Sequence, residues 1–451
     1  MATTFNFYRK PGAGPIYQQV AAYFRQEITL EHLPALALLP SIRKLMADLK
    51  ISRTTAESAY QVLIGEGYIS SIPGKGYRVE QFLPHRQQKN TELLLKIVPA
   101  SPVLYDFSNN YIDTSTFDTA LWRRCLNSAL KNPHSIAGYG DYQGEPALRK
   151  VLAQYSYSSR GVVTTPEQII VGAGLQSLLA ILLPLLPVNE KTIGMEAPGF
   201  PQAEEIFQNY GWQVKQFKPG EPSASWPPLL MISPANPYKG RSLSEAEKTN
   251  LIVASKLSHV YILEDDYNGE FRYLNTPTPA LHSFGNSEQI IYLASFSRTL
   301  LPSLRISYLV LPKQLLTAYH KKARFYNQTS STIEQLALAE YIEQGYLARH
   351  VKKLRTLYNE KNHLLQKALL KTFGTKVKIL DYASGLHLRI ALSYPLSAKD
   401  LAQKALEHGI RVLPILGANT QHAPELLLSF AGIAQEDISK AILALKTALE
   451  N

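Results

Sequence analysis

The chain has 451 residues, 45% of them hydrophobic, a net charge of +11 and a single cysteine, Cys125. It contains no run of about 18 apolar residues, which argues against a membrane span, and its opening Met1-Ala2-Thr3-Thr4 lacks the basic and apolar stretches of an export signal. One cysteine excludes an internal disulfide, so a cytoplasmic protein of two or three domains is expected, with Cys125 packed beside Trp122.

Residues 1–80 hold nine Lys/Arg against six Asp/Glu, a net of +3, so charge permits nucleic-acid binding without indicating it. Ile16, Val20, Phe24 and Ile28 recur every fourth residue, which is one face of a helix. Ser41 is placed to cap a second helix, with Ile42, Leu45, Met46 and Leu49 on one side. The chain turns at Lys50-Ile51, and Ser52 opens a third helix with Ala56, Ala59 and Leu63 inward, ending at Gly65-Glu66-Gly67. Two short helices joined so tightly form a helix-turn-helix. Tyr68-Ile69-Ser70-Ser71 and Tyr77-Arg78-Val79 then read as strands joined by Pro73-Gly74-Lys75-Gly76, a β-wing with lysine at its tip. Ser52, Arg53, Thr54 and Thr55 stand where a recognition helix reaches base edges or phosphates, and Arg43 and Lys75 would neutralise phosphates.

The run LPSIRKLMADLKISRTTAESAYQVLIGEGYISSIPGKGY resembles the winged helix-turn-helix of GntR-family regulators nearly element by element. Residues 32–38 lack that family's usual Pro-Gly, a departure that touches a turn and leaves the reading surface alone. The resemblance implies a double-stranded DNA operator as partner. Residues 81–103 start polar, lack glycine and read as a linker, with a mobile connection and a docked helix over 91–97 both compatible with the Leu93-Leu94-Leu95 cluster.

In residues 104–451, short apolar runs at 168–171, 192–195, 229–232, 260–263, 290–293 and 306–310 alternate with helical patterns. That alternation means an α/β domain with a buried, mainly parallel sheet. No GxGxxG follows the first strand, so a dinucleotide fold has no support. Ligands of such sheets sit beyond the strands' carboxyl ends. There Gly172-Ala173-Gly174-Leu175-Gln176 leads into a helix, which offers amides to a phosphate. Ser295-Phe296-Ser297-Arg298 follows another strand, with Arg305 seven residues beyond Arg298; two hydroxyls and an arginine suit a phosphate dianion. Glu264-Asp265-Asp266-Tyr267 and the Asn236 of SPANPYKG also lie just past strands. Phosphate, an aromatic ring and a buried aspartate together suggest pyridoxal phosphate.

With EDDYNGEFRY and SFSRTLLPSLRISYLV, residues 104–445 resemble a fold-type I, class I aminotransferase domain, and the fusion resembles the MocR-type subfamily of GntR regulators. The resemblance implies that Asp265 pairs with the pyridinium nitrogen, that Tyr267 and Asn236 bond the phenolic oxygen, and that Phe200 stacks on the ring. It further implies that Gly174, Leu175, Gln176, Ser295, Ser297 and Arg305 bind the phosphate, while Tyr139 reaches a partner subunit's phosphate site in a homodimer.

In that family a lysine follows the Phe-Ser pair and forms the covalent bond to the cofactor; here Arg298 stands there. A guanidinium stays protonated and supplies no nucleophilic amine. Catalysis should therefore be lost. Two expectations follow for the pocket: pyridoxal 5'-phosphate or pyridoxamine phosphate binds without a covalent bond, or Arg298 pairs with Asp265 and blocks the ring position. Near Glu425, where family enzymes hold a substrate carboxylate with arginine, PELLLSFAGI carries none adjacent, and a carboxylate there would repel such a ligand. The expected protein is a homodimeric transcription regulator that responds to a small-molecule effector. The rival is a working pyridoxal-phosphate aminotransferase with an appended DNA-binding domain.

Overall fold

The computed structural model describes residues 7–9, 12, 14–80, 103–108, 111–131, 133, 137–196, 201–218, 220–234, 243–266, 269–271, 279–284, 288–323, 325–381, 385–416 and 423–450. The chain divides into two units, Met1–Val98 and Pro99–Asn451. The expected linker, apart from Val103, lies outside the described residues.

In the first unit, helix α1 (Ile16–Thr29) buries Val20, Phe24 and Ile28, the face read from their spacing. Helix α2 (Ile42–Leu49) is capped by the Ser41 side chain, which accepts from the Lys44 amide. Lys50 then takes the left-handed conformation, turning the chain within three residues into helix α3 (Arg53–Gly65). Ala56, Ala59, Tyr60 and Leu63 of α3 meet Phe24 and Leu45 in one apolar core. Strands β1 (Ile69–Ile72) and β2 (Gly76–Val79) pair antiparallel, one residue later at β1 than the sequence suggests. The Leu39 amide bonds the Tyr77 carbonyl and Leu38 bridges Arg78, so the segment lacking Pro-Gly, which bends and turns at 32–36, ends alongside β2 of the wing.

The second unit begins with β3 (Tyr105–Asp106). Its large sheet comprises β4 (Ile169–Gly172), β5 (Thr192–Glu196), β6 (Gln213–Phe217), β7 (Leu229–Ile232), β8 (Tyr261–Asp265), β9 (Ile290–Ser295) and β10 (Ser307–Val310). The order across it is β4-β10-β9-β8-β7-β5-β6, and only β10 runs antiparallel to its neighbours. Alternate residues of β4, β9 and β10 feed two cores: Ile169, Val171, Tyr292 and Val310 on one face, Ile170, Ile291, Leu293 and Leu309 on the other. Cys125 is buried beside Trp122 in the first of these. A smaller sheet of β11 (Val377–Asp381), β12 (His387–Leu392), β14 (Leu413–Pro414) and β15 (Glu425–Ser429) is antiparallel. Strand β13 (Ile410–Arg411) pairs with β3, tying the start of this unit to its last third. Among the described residues no helix is long and apolar enough to cross a membrane.

Beneath β8 lies a buried ionic network. Arg160, at the end of helix Pro146–Arg160, donates to both carboxylate oxygens of Asp266 at 2.6 and 3.0 Å, and the Tyr292 hydroxyl adds 2.9 Å. Glu264 accepts the Leu281 and His282 amides, and Glu270 accepts from the Tyr155 hydroxyl. Glu264, Asp266 and Glu270 thus crowd around one guanidinium. Burial first, then the charge of Asp266, pushes Glu264 up to about 8 and Glu270 up to about 7.

Candidate functional site

At the start of α3 the Ser52 hydroxyl accepts the Thr55 amide at 3.2 Å and lies 2.7 and 3.2 Å from the Thr55 and Thr54 hydroxyls. Capping therefore occupies Ser52 and Thr55, which leaves Arg53, its side chain 76% exposed, and the exposed Thr54 projecting. Its Nε donates to Glu57 Oε1 at 2.8 Å, one turn along the same helix. Arg43 and Lys75 are exposed, and the Lys75 amide closes the wing turn onto the Ile72 carbonyl.

In the second unit, strand pairing gathers the predicted phosphate groups. Gly172 of β4 opposes Ser307 of β10, which opposes Ser295 of β9, so three strand ends stand in a row. Gly174 caps helix Leu175–Leu182 with φ +92, a conformation that favours glycine. A Cβ added there would stand 2.5 Å from Arg305 Nη2, and that nitrogen donates to the Ala173 carbonyl at 3.3 Å. Arg305 itself is left-handed at φ 52, and the Ser330 hydroxyl lies 3.5 Å from its carbonyl. The Ser295 hydroxyl donates to Ser297 Oγ at 3.0 Å and accepts the Ser297 amide. Leu175 is half-buried, Gln176 and Arg305 are exposed, and Tyr139 is 81% exposed. Phe200, Asn236 and Tyr267 lie outside the described residues.

Asp265, the last residue of β8, is buried, with the Ser233 hydroxyl at 3.5 Å as its hydrogen-bond partner among the described residues. Burial and the neighbouring Asp266 charge push its carboxyl up to about 7 against the opposing Ser233 contact. The charge of Arg298 acts on His387 of β12 and on Tyr358, while the charge that raises Asp265 is that of Asp266. Glu425 also differs from expectation: Arg389, on the adjacent strand, reaches Glu425 Oε2 at 2.5 Å, so no uncompensated carboxylate stands there to repel a ligand. Ser233, Arg389 and His387 were not legible as site residues. Ser233 sits in SPANPYKG beside Asn236, and only its position after β7 hints at a role.

These groups fit a pyridoxal-type cofactor. A buried carboxylate whose hydrogen-bond partner among the described residues is a hydroxyl at 3.5 Å suits a protonated pyridine nitrogen, and the Arg305 guanidinium lies so close to Gly174 that a Cβ there would crowd it. When bound, that cofactor supplies an electron-withdrawing ring to amine substrates in enzymes that also hold it covalently. Here Asp265 would fix the ring nitrogen, and Ser295, Ser297, Arg305 and the Gly174 amide region would hold the phosphate.

One unit with an exposed recognition helix and wing, and another with an aminotransferase sheet whose lysine position is arginine, define a two-part DNA-binding regulator. Residues 16–79 match the model for bacterial regulatory proteins of the gntR family, and residues 107–445 that for aminotransferase class I and II. The chain is 34% identical to the uncharacterized HTH-type transcriptional regulator YdeL of Bacillus subtilis (strain 168), over 96% of each. It is 27% identical to the probable rhizopine catabolism regulatory protein MocR of Rhizobium meliloti, over 96% of this chain and 94% of that one. Kynurenine aminotransferase from Pyrococcus horikoshii, crystallised with PMP, shares the fold at TM-score 0.68 and 20% identity, over 79% of this chain and 93% of that one. The chain belongs to the MocR-type group of GntR-family transcription regulators, which carry an aminotransferase-like domain.

Proposed function

We propose that this regulator binds pyridoxal or pyridoxamine phosphate non-covalently in its second unit, does not transaminate, and passes ligand occupancy to its DNA-binding unit. The observation that carries the reading is the coincidence of Arg298 at the lysine position with a retained, buried Asp265 whose carboxyl burial and Asp266 push up to about 7. Arginine cannot form the covalent bond, yet the ring and phosphate groups are kept. The extreme exposure of Tyr139 supports a homodimer in which it reaches the partner's phosphate site, and a two-fold dimer suits a paired operator. Regulation then requires the ligand to prefer one arrangement of the units, which shifts DNA affinity by that preference.

Calorimetry with pyridoxamine phosphate tests the pocket, and a gel shift on the DNA upstream of the chain's own gene, with and without that vitamer, tests the coupling. Heat of binding with a changed shift is the expected result. No heat at high micromolar vitamer sinks the pocket assignment, and an unchanged shift leaves a repressor whose second unit only dimerises.

On the same DNA, Arg53→Ala should cost about 1–3 kcal/mol and relax base preference, whereas Lys75→Ala should weaken all duplexes alike and lower the salt slope by about one. Equal binding by Arg53→Ala and the wild type would contradict the placement of the recognition helix.

Arg298→Lys should restore covalent capture of pyridoxal phosphate, seen as a borohydride-reducible mass increase on residue 298. A variant that stays unmodified would show that more than one residue of the pocket has changed.

Asp265, Glu264 and Glu270 have folded pKa values raised above their unfolded ones, so the native state holds more protons between about 4 and 8. Their contribution to stability is complete below the unfolded values and declines as pH rises through the folded ones. Thermal unfolding of the vitamer-free protein should therefore show these groups lowering Tm from pH 5 to pH 8, with Asp265→Asn flattening that slope. Superimposable profiles would refute the raised Asp265 carboxyl.

A further inference from the structure

The Arg53–Glu57 pair at the head of α3 has a geometry that bears on sequence reading, given the DNA-binding role. Both side chains are exposed, at 76% and 43%, so the pair contributes little to stability and its position needs another reason. Glu57 Oε1 takes the Nε–H of Arg53 at 2.8 Å. A guanidinium held through Nε keeps its two Nη groups directed outward as a fork. That fork matches the O6 and N7 acceptors of guanine in the major groove. Ser52 and Thr55 are already engaged in capping, so Arg53, beside the exposed Thr54 hydroxyl, is the charged donor at this end of the helix for such a contact. The Glu57 carboxylate has a second effect: it repels phosphates, which disfavours docking wherever the guanine is missing.

We propose that Glu57 is a specificity-determining residue of the DNA interface, orienting Arg53 for bidentate contact with one guanine in each half-site and weakening attachment to other sequences. The test is selection from a randomised duplex pool by the full chain and by its Glu57→Ala, Glu57→Gln and Arg53→Ala variants, followed by anisotropy on the selected duplex and on a scrambled one. Wild type should enrich duplexes with a guanine strongly preferred at one half-site position. Arg53→Ala and Glu57→Ala should each reduce that preference by about tenfold, the scale of one bidentate base contact. Glu57→Gln keeps an oxygen for the Nε–H and should retain the guanine, while both Glu57 variants bind the scrambled duplex more tightly at low salt. An unchanged guanine preference in Glu57→Ala overturns the proposal, as does its loss in Glu57→Gln to the same extent. If wild type enriches nothing, the DNA-binding assignment falls first and the proposal with it.

Discussion

Asp265→Ala should weaken pyridoxamine phosphate binding by roughly thirty-fold to several thousand-fold, since truncating one partner of a buried charge pair costs about 2–5 kcal/mol. The argument starts from burial. Asp265 ends β8 inside the protein, with a hydroxyl 3.5 Å away as its hydrogen-bond partner among the described residues and the charge of Asp266 next to it. A carboxylate so placed is costly until a cation meets it. A pyridinium N–H does so, and the pairing is lost when the carboxylate goes. Because the carboxyl sits near 7 without ligand, affinity should also fall as pH drops below about 7 and the group protonates. Calorimetry at pH 8 and pH 6 on wild type and Asp265→Ala decides it. Equal affinity in the two proteins at pH 8 would remove Asp265 from the pocket.

Asp266→Ala should destabilise the second unit by about 3–5 kcal/mol, the scale of breaking a buried ion pair from one side. Arg160 and Asp266 are both almost wholly buried, and the substitution strands a guanidinium that cannot deprotonate. The Gly269 backbone closes over the pair so tightly that a Cβ there would lie 2.1 Å from Asp266 Oδ1, leaving little room for water to take its place. The three tryptophans, Trp122, Trp212 and Trp226, all belong to the second unit, so their fluorescence in urea follows that unit without the DNA-binding one. A loss under about 1 kcal/mol would mean that the neighbouring carboxylates, Glu264 and Glu270, take over Arg160. The same variant should lower Glu264, Asp265 and Glu270 in part, since burial, the larger cause, remains and only the charge of Asp266 is removed.

The strands of the large sheet were legible because both their faces are covered, which writes them as unbroken apolar runs such as Leu229-Leu230-Met231-Ile232. Strand β6, Gln213–Phe217, was not, because it lies at the sheet edge and reads as a mixed polar run with most of its side chains exposed. Strand β12 was missed for a related reason. One face of β12 carries His387 and Arg389 while Leu388, Ile390 and Leu392 enter a core, and an alternating pattern that short competes poorly with the helices around it.

By itself the sequence determined the helix-turn-helix and wing, six strands of the large sheet, the division into a DNA-binding part and an α/β part, and the replacement of the lysine by Arg298. Each of these is a local property, set by periodicity, capping and residue identity within a few positions. The tertiary structure alone decided the electrostatics. It brought the charge of Arg298 within range of His387 and Tyr358, paired Glu425 with Arg389 across two strands, and set Asp266 against Arg160, 106 residues away in the chain. Charges act through space over a few ångströms, and no spacing along the sequence reports which of them folding brings that close.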